Sequence, residues 1–478
     1  MSDAAKRRTV PPAGGRSPAA RWGVARRVSP WRRLSAPQLF VGSFLLLVAL
    51  GTVGLRTIPG LYTGERLGWV DALFTSASAV CVTGLAVVDT ATHFTFYGQL
   101  FILSLIQVGG LGMITFTSLI IVAMGRRLSL RNQAVSTGSV EVAPHVEPAH
   151  LLRDVVLFTF AFEAAGAALL YALWVPRFGW GGAVWPAAFH SVSAFCNAGF
   201  STFSDSLIGV REDPLGLAVV MLLIVTGGIG FLTLEELYLF RKAKRRAQRF
   251  RLSLHSRIVL VTTAVLVVLP WPMFLLLERA NTLADLGRVD AWANALFLSV
   301  TARTAGFNTI DYGQASVGAN FLTILLMSIG GSPGSTAGGL KTTTAALIGL
   351  LAWSRFRGEE VTSLAGRSIP EETIQRAVGL FVATFAVTTV GILVLATAET
   401  EAGRPRDFLR YMFEAVSAFN TVGLSMGATP HLTLTSKLTG VFLMFAGRVG
   451  PLVLAAALVL RRRPAGPFRY AYEDVVVG

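Results

Sequence analysis

Charge is what this sequence lacks. Of 478 residues, 14% are Asp, Glu, Lys or Arg and 53% are hydrophobic, whereas a soluble domain carries roughly a quarter charged residues. The chain therefore reads as a membrane protein. Cysteine is nearly absent: Cys81 and Cys196 are the whole complement, which gives no disulfide framework and no metal spacing. Both read as small packing residues. The six histidines show no ligand spacing either, and no G-x-G-x-x-G opens a helix after a strand. One run, Gly334–Thr342, resembles a phosphate loop, but Leu340 separates its glycine from Lys341. That run also sits in an apolar segment and not in a strand–loop–helix unit. These absences argue against an enzyme and against a cofactor held by this chain.

What is present is a repeat. The runs ending at Gly84 (F-T-S-A-S-A-V-C-V-T-G), Gly199 (F-H-S-V-S-A-F-C-N-A-G), Gly306 (F-L-S-V-T-A-R-T-A-G) and Gly423 (F-E-A-V-S-A-F-N-T-V-G) are close copies, the third one residue shorter. A regular period of this size marks homologous units. Each run is too short to cross a bilayer. Each is preceded by an apolar stretch of spanning length (Leu39–Leu55, Leu151–Trp174, Ile258–Leu277, Ala377–Ala396) and followed by a longer one (Tyr97–Met124, Leu215–Phe240, Phe321–Trp353, Lys437–Leu460). About 20 residues at 1.5 Å each are what the hydrocarbon core demands. We name the three parts M1, P and M2. A second landmark keeps phase: glycine clusters begin at Gly109, Gly227, Gly330 and Gly447 in the four M2 stretches. The expected repeats are residues 36–126, 150–246, 256–355 and 372–463.

A net charge of +15 would suit nucleic acid, but the cations lie between repeats: Arg126, Arg127, Arg131 and Arg153; Arg241 to Arg257; Arg355, Arg357, Arg367 and Arg376; and Arg461–Arg463. The P-to-M2 segments hold almost none. By the positive-inside rule, both termini and the inter-repeat loops are cytoplasmic, and all four P segments enter from the outer face. The basic, Pro-rich residues 1–35 are expected to be disordered, serving first as an orientation signal and second as a contact for anionic lipid headgroups. Residues 464–478 form a cytoplasmic tail. The fold class that follows is an all-α integral membrane protein. Eight spanning helices and four re-entrant pore helices would surround one pseudo-fourfold pore. The density of cations over Arg241–Arg257 makes that loop a candidate docking surface for a cytoplasmic partner.

Non-helical backbone at membrane depth is tolerated only where protein buries it or it lines a water-filled cavity. Four copies entering from one side meet that demand together by surrounding a common axis, each with the partially negative end of a short helix toward it. The residues before each marker glycine are expected to be extended, with carbonyls turned inward: Val82-Thr83-Gly84, Asn197-Ala198-Gly199, Thr304-Ala305-Gly306 and Thr421-Val422-Gly423. None carries an acid. A ring of main-chain oxygens suits a weakly hydrated monovalent cation such as K⁺ better than Ca²⁺ or Mg²⁺, whose sites usually include carboxylates.

These residues resemble the Trk/Ktr/HKT superfamily of cation transporters, particularly its Ktr-type membrane subunits. The likeness is carried by V-T-G-L at Val82, C-N-A-G-F at Cys196, T-A-G-F at Thr304, N-T-V-G-L at Asn420, G-G-S-P-G-S-T-A-G-G-L-K from Gly330, and G-R-V-G at Gly447. It spans about Leu39 to Arg463. The resemblance implies K⁺ uptake across the plasma membrane, a homodimer with one pore per chain, and a cytoplasmic nucleotide-binding ring of the RCK type that gates it. Plant relatives with serine at the first filter glycine transport Na⁺, so Gly84 favours K⁺. A Na⁺-selective or proton-coupled transporter of the same fold stays open, as does Na⁺ as a coupling ion. No cofactor in this chain and no nucleic-acid partner are implied.

The third M2 cannot be an unbroken helix, because Pro333 removes a hydrogen bond and the surrounding glycines raise the entropy cost. By resemblance the stretch is an intramembrane gate built from Gly330, Gly331, Ser332, Pro333, Gly334, Ser335, Thr336, Gly338, Gly339 and Lys341. Arg448 lies near the centre of the fourth M2, where a guanidinium needs a partner or water. The resemblance puts it in the pore beneath the filter, bonded to the glycine-rich loop. The competing expectation is a static pair with an acid such as Glu163. Lys341 could equally reach cytoplasmic water.

Overall fold

Apolar stretches of spanning length give helices because a helix satisfies its backbone groups within its own segment in lipid. The structure, a computed structural model, describes residues 36–132, 148–247, 250–364 and 366–458. The basic N-terminus 1–35, Arg249, Arg461–Arg463 and the tail 464–478 lie outside the described residues, as do the side chains of Arg126, Arg127 and Arg131.

The first repeat contains α1 (Ala36–Thr57), α2 (Trp69–Val80), α3 (Thr90–His93) and α4 (Phe96–Asn132). The second contains α5 (Pro148–Gly182), α6 (Val184–Cys196), α7 (Pro214–Ile229) and α8 (Phe231–Arg245). The third contains α9 (Leu254–Val268), α10 (Pro270–Glu278), α11 (Arg288–Thr301), α12 (Val317–Met327) and α13 (Thr342–Phe356). A two-stranded hairpin, β1 (Ser363–Leu364) with β2 (Arg367–Ser368), leads to α14 (Glu371–Glu401), α15 (Phe408–Phe419), α16 (Leu434–Val449) and α17 (Pro451–Leu458).

Among the described residues, five continuous spans are long and apolar enough to cross a membrane: Pro37–Thr57, Phe96–Met113, Arg153–Gly182, Leu254–Glu278 and Glu371–Glu401. The second and fourth M2 segments differ from the single helices expected. The second bends by 103° between α7 and α8, and the fourth by 94° between α16 and α17. Gly230 (φ +93) and Gly450 (φ +89) supply the break, in a backbone region that side chains disfavour. Pro451 then starts a new helix, where its missing N–H costs nothing. The third M2 is α12, the interrupted loop and α13.

Polarity is inverted relative to a soluble protein. Leu46, Val382, Phe385 and Leu276 are exposed on the outer faces, while Ser76, Ser78, Ser191, Ser193, Ser299, Thr301 and Ser417 on the short helices α2, α6, α11 and α15 are buried. Their hydroxyls have work inside. Ser76, Ser191 and Ser299 donate to the M1 carbonyls of Val48 (2.8 Å), Glu163 (2.6 Å) and Val267 (2.7 Å), fixing each short helix to its own M1. Two ion pairs join repeats: Lys437 with Asp71 at 2.5 Å, and Arg211 with Asp285.

The M2 glycine clusters now have a reason. A methyl group on Gly109 would lie 2.0 Å from the Val80 carbonyl oxygen, on Gly227 1.9 Å from that of Phe195, and on Gly447 1.5 Å from that of Phe419. Each is the M2 of a repeat pressed against the C-terminal end of that repeat's short helix. In the third repeat Gly330 packs instead on Gly338 of its own loop. Gly447→Ala should therefore lower the apparent melting temperature of the purified protein by several degrees, since overpacking a filled contact costs about 1–3 kcal/mol. Gly379→Ala, which meets open space, should leave it unchanged; equal melting of the two variants would contradict this packing.

Candidate ion pathway

Each short helix is followed by a residue in the left-handed region: Val82 (φ +56), Asn197 (φ +59), Thr304 (φ +67) and Thr421 (φ +50). Each lies two positions before its marker glycine, and the glycines also have positive φ: Gly84 (+98), Gly199 (+69), Gly306 (+80) and Gly423 (+97). The uniformly extended run expected from sequence is thus corrected. Alternating hand along three residues turns successive carbonyls toward one side, whereas a β-strand alternates them. Left-handed backbone at β-branched Val82, Thr304 and Thr421 is strained, on the order of 1–3 kcal/mol at each site, so something must hold it.

The short helices hold it. The main-chain N–H groups of Thr83, Ala198, Ala305 and Val422 donate back to the carbonyls of Ser78 (2.8 Å), Ser193 (2.8 Å), Thr301 (3.0 Å) and Ser417 (2.9 Å). The side chains of the same four residues add a second tie. Ser78 and Ser417 accept from the N–H of Gly84 and Gly423, both at 3.1 Å. Ser193 and Thr301 donate to the carbonyls of Phe200 (2.8 Å) and Phe307 (2.6 Å). These braces were missed in the sequence, although the signal was present as a Ser or Thr recurring five or six residues before each marker glycine.

The four strands close on one another in chain order. A Cβ on Gly84 would lie 2.4 Å from the Ala198 oxygen, on Gly199 2.9 Å from that of Ala305, on Gly306 2.3 Å from that of Val422, and on Gly423 2.1 Å from that of Thr83. Eight of the twelve residues expected at the pathway thereby meet directly, with the middle residue's carbonyl of one repeat against the glycine of the one before, and Val82, Asn197, Thr304 and Thr421 lead into them. The hydroxyls of Thr83, Thr304 and Thr421 are buried without a protein partner.

The interrupted third M2 lies against this ring. The Ser332 and Thr336 N–H groups donate to Gly228 (2.9 Å) and Gly227 (3.2 Å), that of Gly339 to Gly447 (3.3 Å), and that of Phe231 to the Gly334 carbonyl (3.0 Å). Pro333 packs its carbonyl at Gly230, Gly331 lies beside Ala337 and Ser335, and Gly338 abuts the Thr421 side chain. Gly330 donates to Leu340 (2.7 Å), and Ser332 shares a hydrogen bond with Thr342 (3.0 Å). The Thr336 hydroxyl donates to the Phe195 carbonyl (3.2 Å) and lies 3.0 Å from the Asn197 amide. Asn420, which carried no role in the sequence reading, accepts from the Leu340 N–H at 3.5 Å.

Arg448 is buried, and its guanidinium donates to the carbonyls of Thr336 and Gly109, the latter at 3.1 Å. It thus ties the loop to the first repeat. The pair with Glu163 does not form, because that carboxyl accepts from Gln107 (3.1 Å) beside Cys196. Lys341 turns back to the Ala337 carbonyl at 2.6 Å and does not reach for water. Among the described residues no cluster of His, Cys, Asp or Glu suits a metal ion.

Residues 33–463 match the family model described as TrkH, cation transport protein. The chain belongs to the TrkH cation transport family. It is a multi-pass membrane transporter and not an enzyme. It is similar, at 36% identity over 94% of its length and 98% of the relative, to the potassium/sodium uptake protein NtpJ of Enterococcus hirae. Identity to the Ktr system potassium uptake protein B of Bacillus subtilis is 38%, over 95% of this chain and 99% of that one. The crystal structure of the potassium transporter TrkH from Vibrio parahaemolyticus shares its fold, with a TM-score of 0.71 covering 89% of this chain and 86% of that one at 19% identity.

In this family frame the serine braces become testable. Ser417→Ala leaves the Gly423 N–H without its acceptor, a loss on the order of 1–3 kcal/mol. It should lower both the apparent melting temperature and the discrimination between K⁺ and Na⁺ in uptake assays. Thr400→Ala, at an exposed hydroxyl bonded within its own helix, should change neither. A Ser417→Ala protein with wild-type melting and selectivity would show that the brace is idle.

Proposed function

We propose that this chain takes up K⁺ through a filter of main-chain oxygens formed by Val82–Gly84, Asn197–Gly199, Thr304–Gly306 and Thr421–Gly423. The observation that carries this reading is the closure of the four strands, each middle carbonyl set against the marker glycine of the neighbouring repeat. A bare K⁺ needs a full shell of oxygens to replace its water, and carbonyl rings supply one without an acid. The names of the relatives point to the same ion, with sodium beside potassium in one of them.

The loop Gly330–Lys341 is the gate in this reading, held across the pathway by Arg448 and by Gly227, Gly228 and Gly447. Arg448 also opposes the cation directly: a charge about 8 Å away at an effective dielectric near 20 costs about 2 kcal/mol. Opening would swing the loop off those carbonyls. The relatives named as protein B of a Ktr system suit a membrane subunit that works with a separate regulatory one. The exposed cations Arg241, Lys242, Lys244, Arg245 and Arg246 on and just after α8 are the docking surface this reading offers, on the cytoplasmic side of the plasma membrane. A homodimer and a nucleotide-binding RCK-type ring complete it, with Na⁺ as a coupling ion left to experiment.

Growth rescue of a bacterium that lacks K⁺ uptake, at low K⁺ with Na⁺ varied, tests the reading as a whole. Rescue is expected, and a strain that stays K⁺-starved while making folded protein would overturn it. Gly84→Ser, which places a side chain against the Ala198 oxygen, should reduce the K⁺-over-Na⁺ uptake ratio roughly tenfold, about 1.4 kcal/mol, in a folded protein. An unchanged ratio would remove Gly84 from the filter. Arg448→Ala should raise K⁺ flux without a regulator by about tenfold while retaining ion preference. Flux no higher than wild type in a folded Arg448→Ala protein would make Arg448 a structural residue.

A further inference from the structure

Two arginines lie inside the apolar body next to the four strands. Arg448 has its carbonyl acceptors. Arg303 has none: it is 8% exposed, its Nε is buried without a partner, and neither a hydrogen bond nor an ion pair ties its guanidinium to any described residue. Arginine keeps its charge in proteins, and an unpaired charge in a membrane-protein interior is costly, which is why such residues face a water-filled path and mark functional sites.

The repeat shows what is unusual about this position. Arg303 immediately precedes left-handed Thr304, as Cys81, Cys196 and Asn420 precede Val82, Asn197 and Thr421. Those three are neutral. In the second repeat the equivalent Cys196 is met by Glu163 of M1, whose carbonyl takes the Ser191 hydroxyl. In the third repeat the M1 residue that takes the matching Ser299 hydroxyl is Val267. Val48 takes the matching Ser76 hydroxyl in the first repeat, so only the second of these three M1 helices carries an acid at this position, and the third offers Arg303 an aliphatic side chain there. The Arg303 N–H donates to the Val300 carbonyl (3.2 Å), which places the residue at the C-terminal, partially negative end of the 14-residue helix α11. That end attracts a cation in a filter of this design.

We propose that Arg303 sets the affinity of the pathway: its unpaired charge offsets the dipole of α11, so the third strand holds K⁺ less tightly than the other three and releases it faster. This inference rests on the filter reading. The residue acts through its field and touches no ion.

The test is saturable K⁺ or Rb⁺ uptake by reconstituted protein. Arg303→Gln should lower KM by about tenfold and lower the maximal rate with it. Arg303→Lys should keep the wild-type KM. Val267→Glu, which gives the third M1 the acid that the second carries as Glu163 and leaves Arg303 in place, should lower KM in the same direction as Arg303→Gln. A folded Arg303→Gln protein with an unchanged KM overturns the proposal, and so do Gln and Lys variants that change flux alike. If Arg303→Gln does not fold, Val267→Glu decides, and an unchanged KM there overturns it. A wild-type KM that changes when chloride is replaced by gluconate at fixed K⁺ also overturns it, since a small anion would then be the guanidinium's partner. Altered selectivity in Gly84→Ser with unchanged KM in Arg303→Gln would sink this inference alone, whereas unaltered selectivity in Gly84→Ser sinks the filter reading beneath it.

Discussion

Everything in this molecule depends on main chain approaching main chain without side chains between. Gly109, Gly227 and Gly447 let M2 segments press on the ends of the short helices, and Gly84, Gly199, Gly306 and Gly423 let the strands beyond those helices press on one another. In lipid there is little hydrophobic drive to bring helices together, so close packing and internal hydrogen bonds must do it. Glycine gives the close packing. The buried serines and threonines give the hydrogen bonds, first to the M1 carbonyls and then to the strands.

That division of labour explains how a strained backbone persists at the axis. Val82, Thr304 and Thr421 hold left-handed angles that their branched side chains disfavour. The hydrogen bonds from the next residue's N–H to Ser78, Thr301 and Ser417 overdetermine the turn. With the N–H groups directed back into the short helices, the carbonyls are left to face one another. The same economy governs the interrupted M2. Its exposed backbone donors are satisfied by the carbonyls of Gly227, Gly228 and Gly447, and its acceptors by Arg448 and Phe231. The loop can leave only by breaking bonds to the second and fourth repeats, which is what the proposed gating would require.

Much of this was legible in the chain. The four short copies, the glycine clusters in phase with them and the broken third M2 mark the strands that close on one another, because a repeat states the same constraint four times. Less legible were features that depend on neighbours from another repeat. The bend at Gly450 is marked locally by the Pro451 that follows, but nothing local singles out Gly230 among the glycines around it, where the loop carbonyl of Pro333 packs against the bend. Arg448 reads from sequence as a charge in need of a partner, but its choice of Thr336 and Gly109 over Glu163 is a matter of tertiary distance. The backbone hand at Val82, Asn197, Thr304 and Thr421 was misread as extended. The Ser or Thr that enforces it recurs in all four copies.

The central claim is that four main-chain strands meet around one axis and hold K⁺ there. Crystals or reconstituted particles of the protein soaked in Rb⁺ or Tl⁺ test it most directly, by anomalous or difference density. The account predicts density on the axis between the Thr83, Ala198, Ala305 and Val422 carbonyls, lost when Na⁺ replaces the heavy ion. Density absent from that ring, or ions held instead by side-chain carboxylates elsewhere in the molecule, would contradict it.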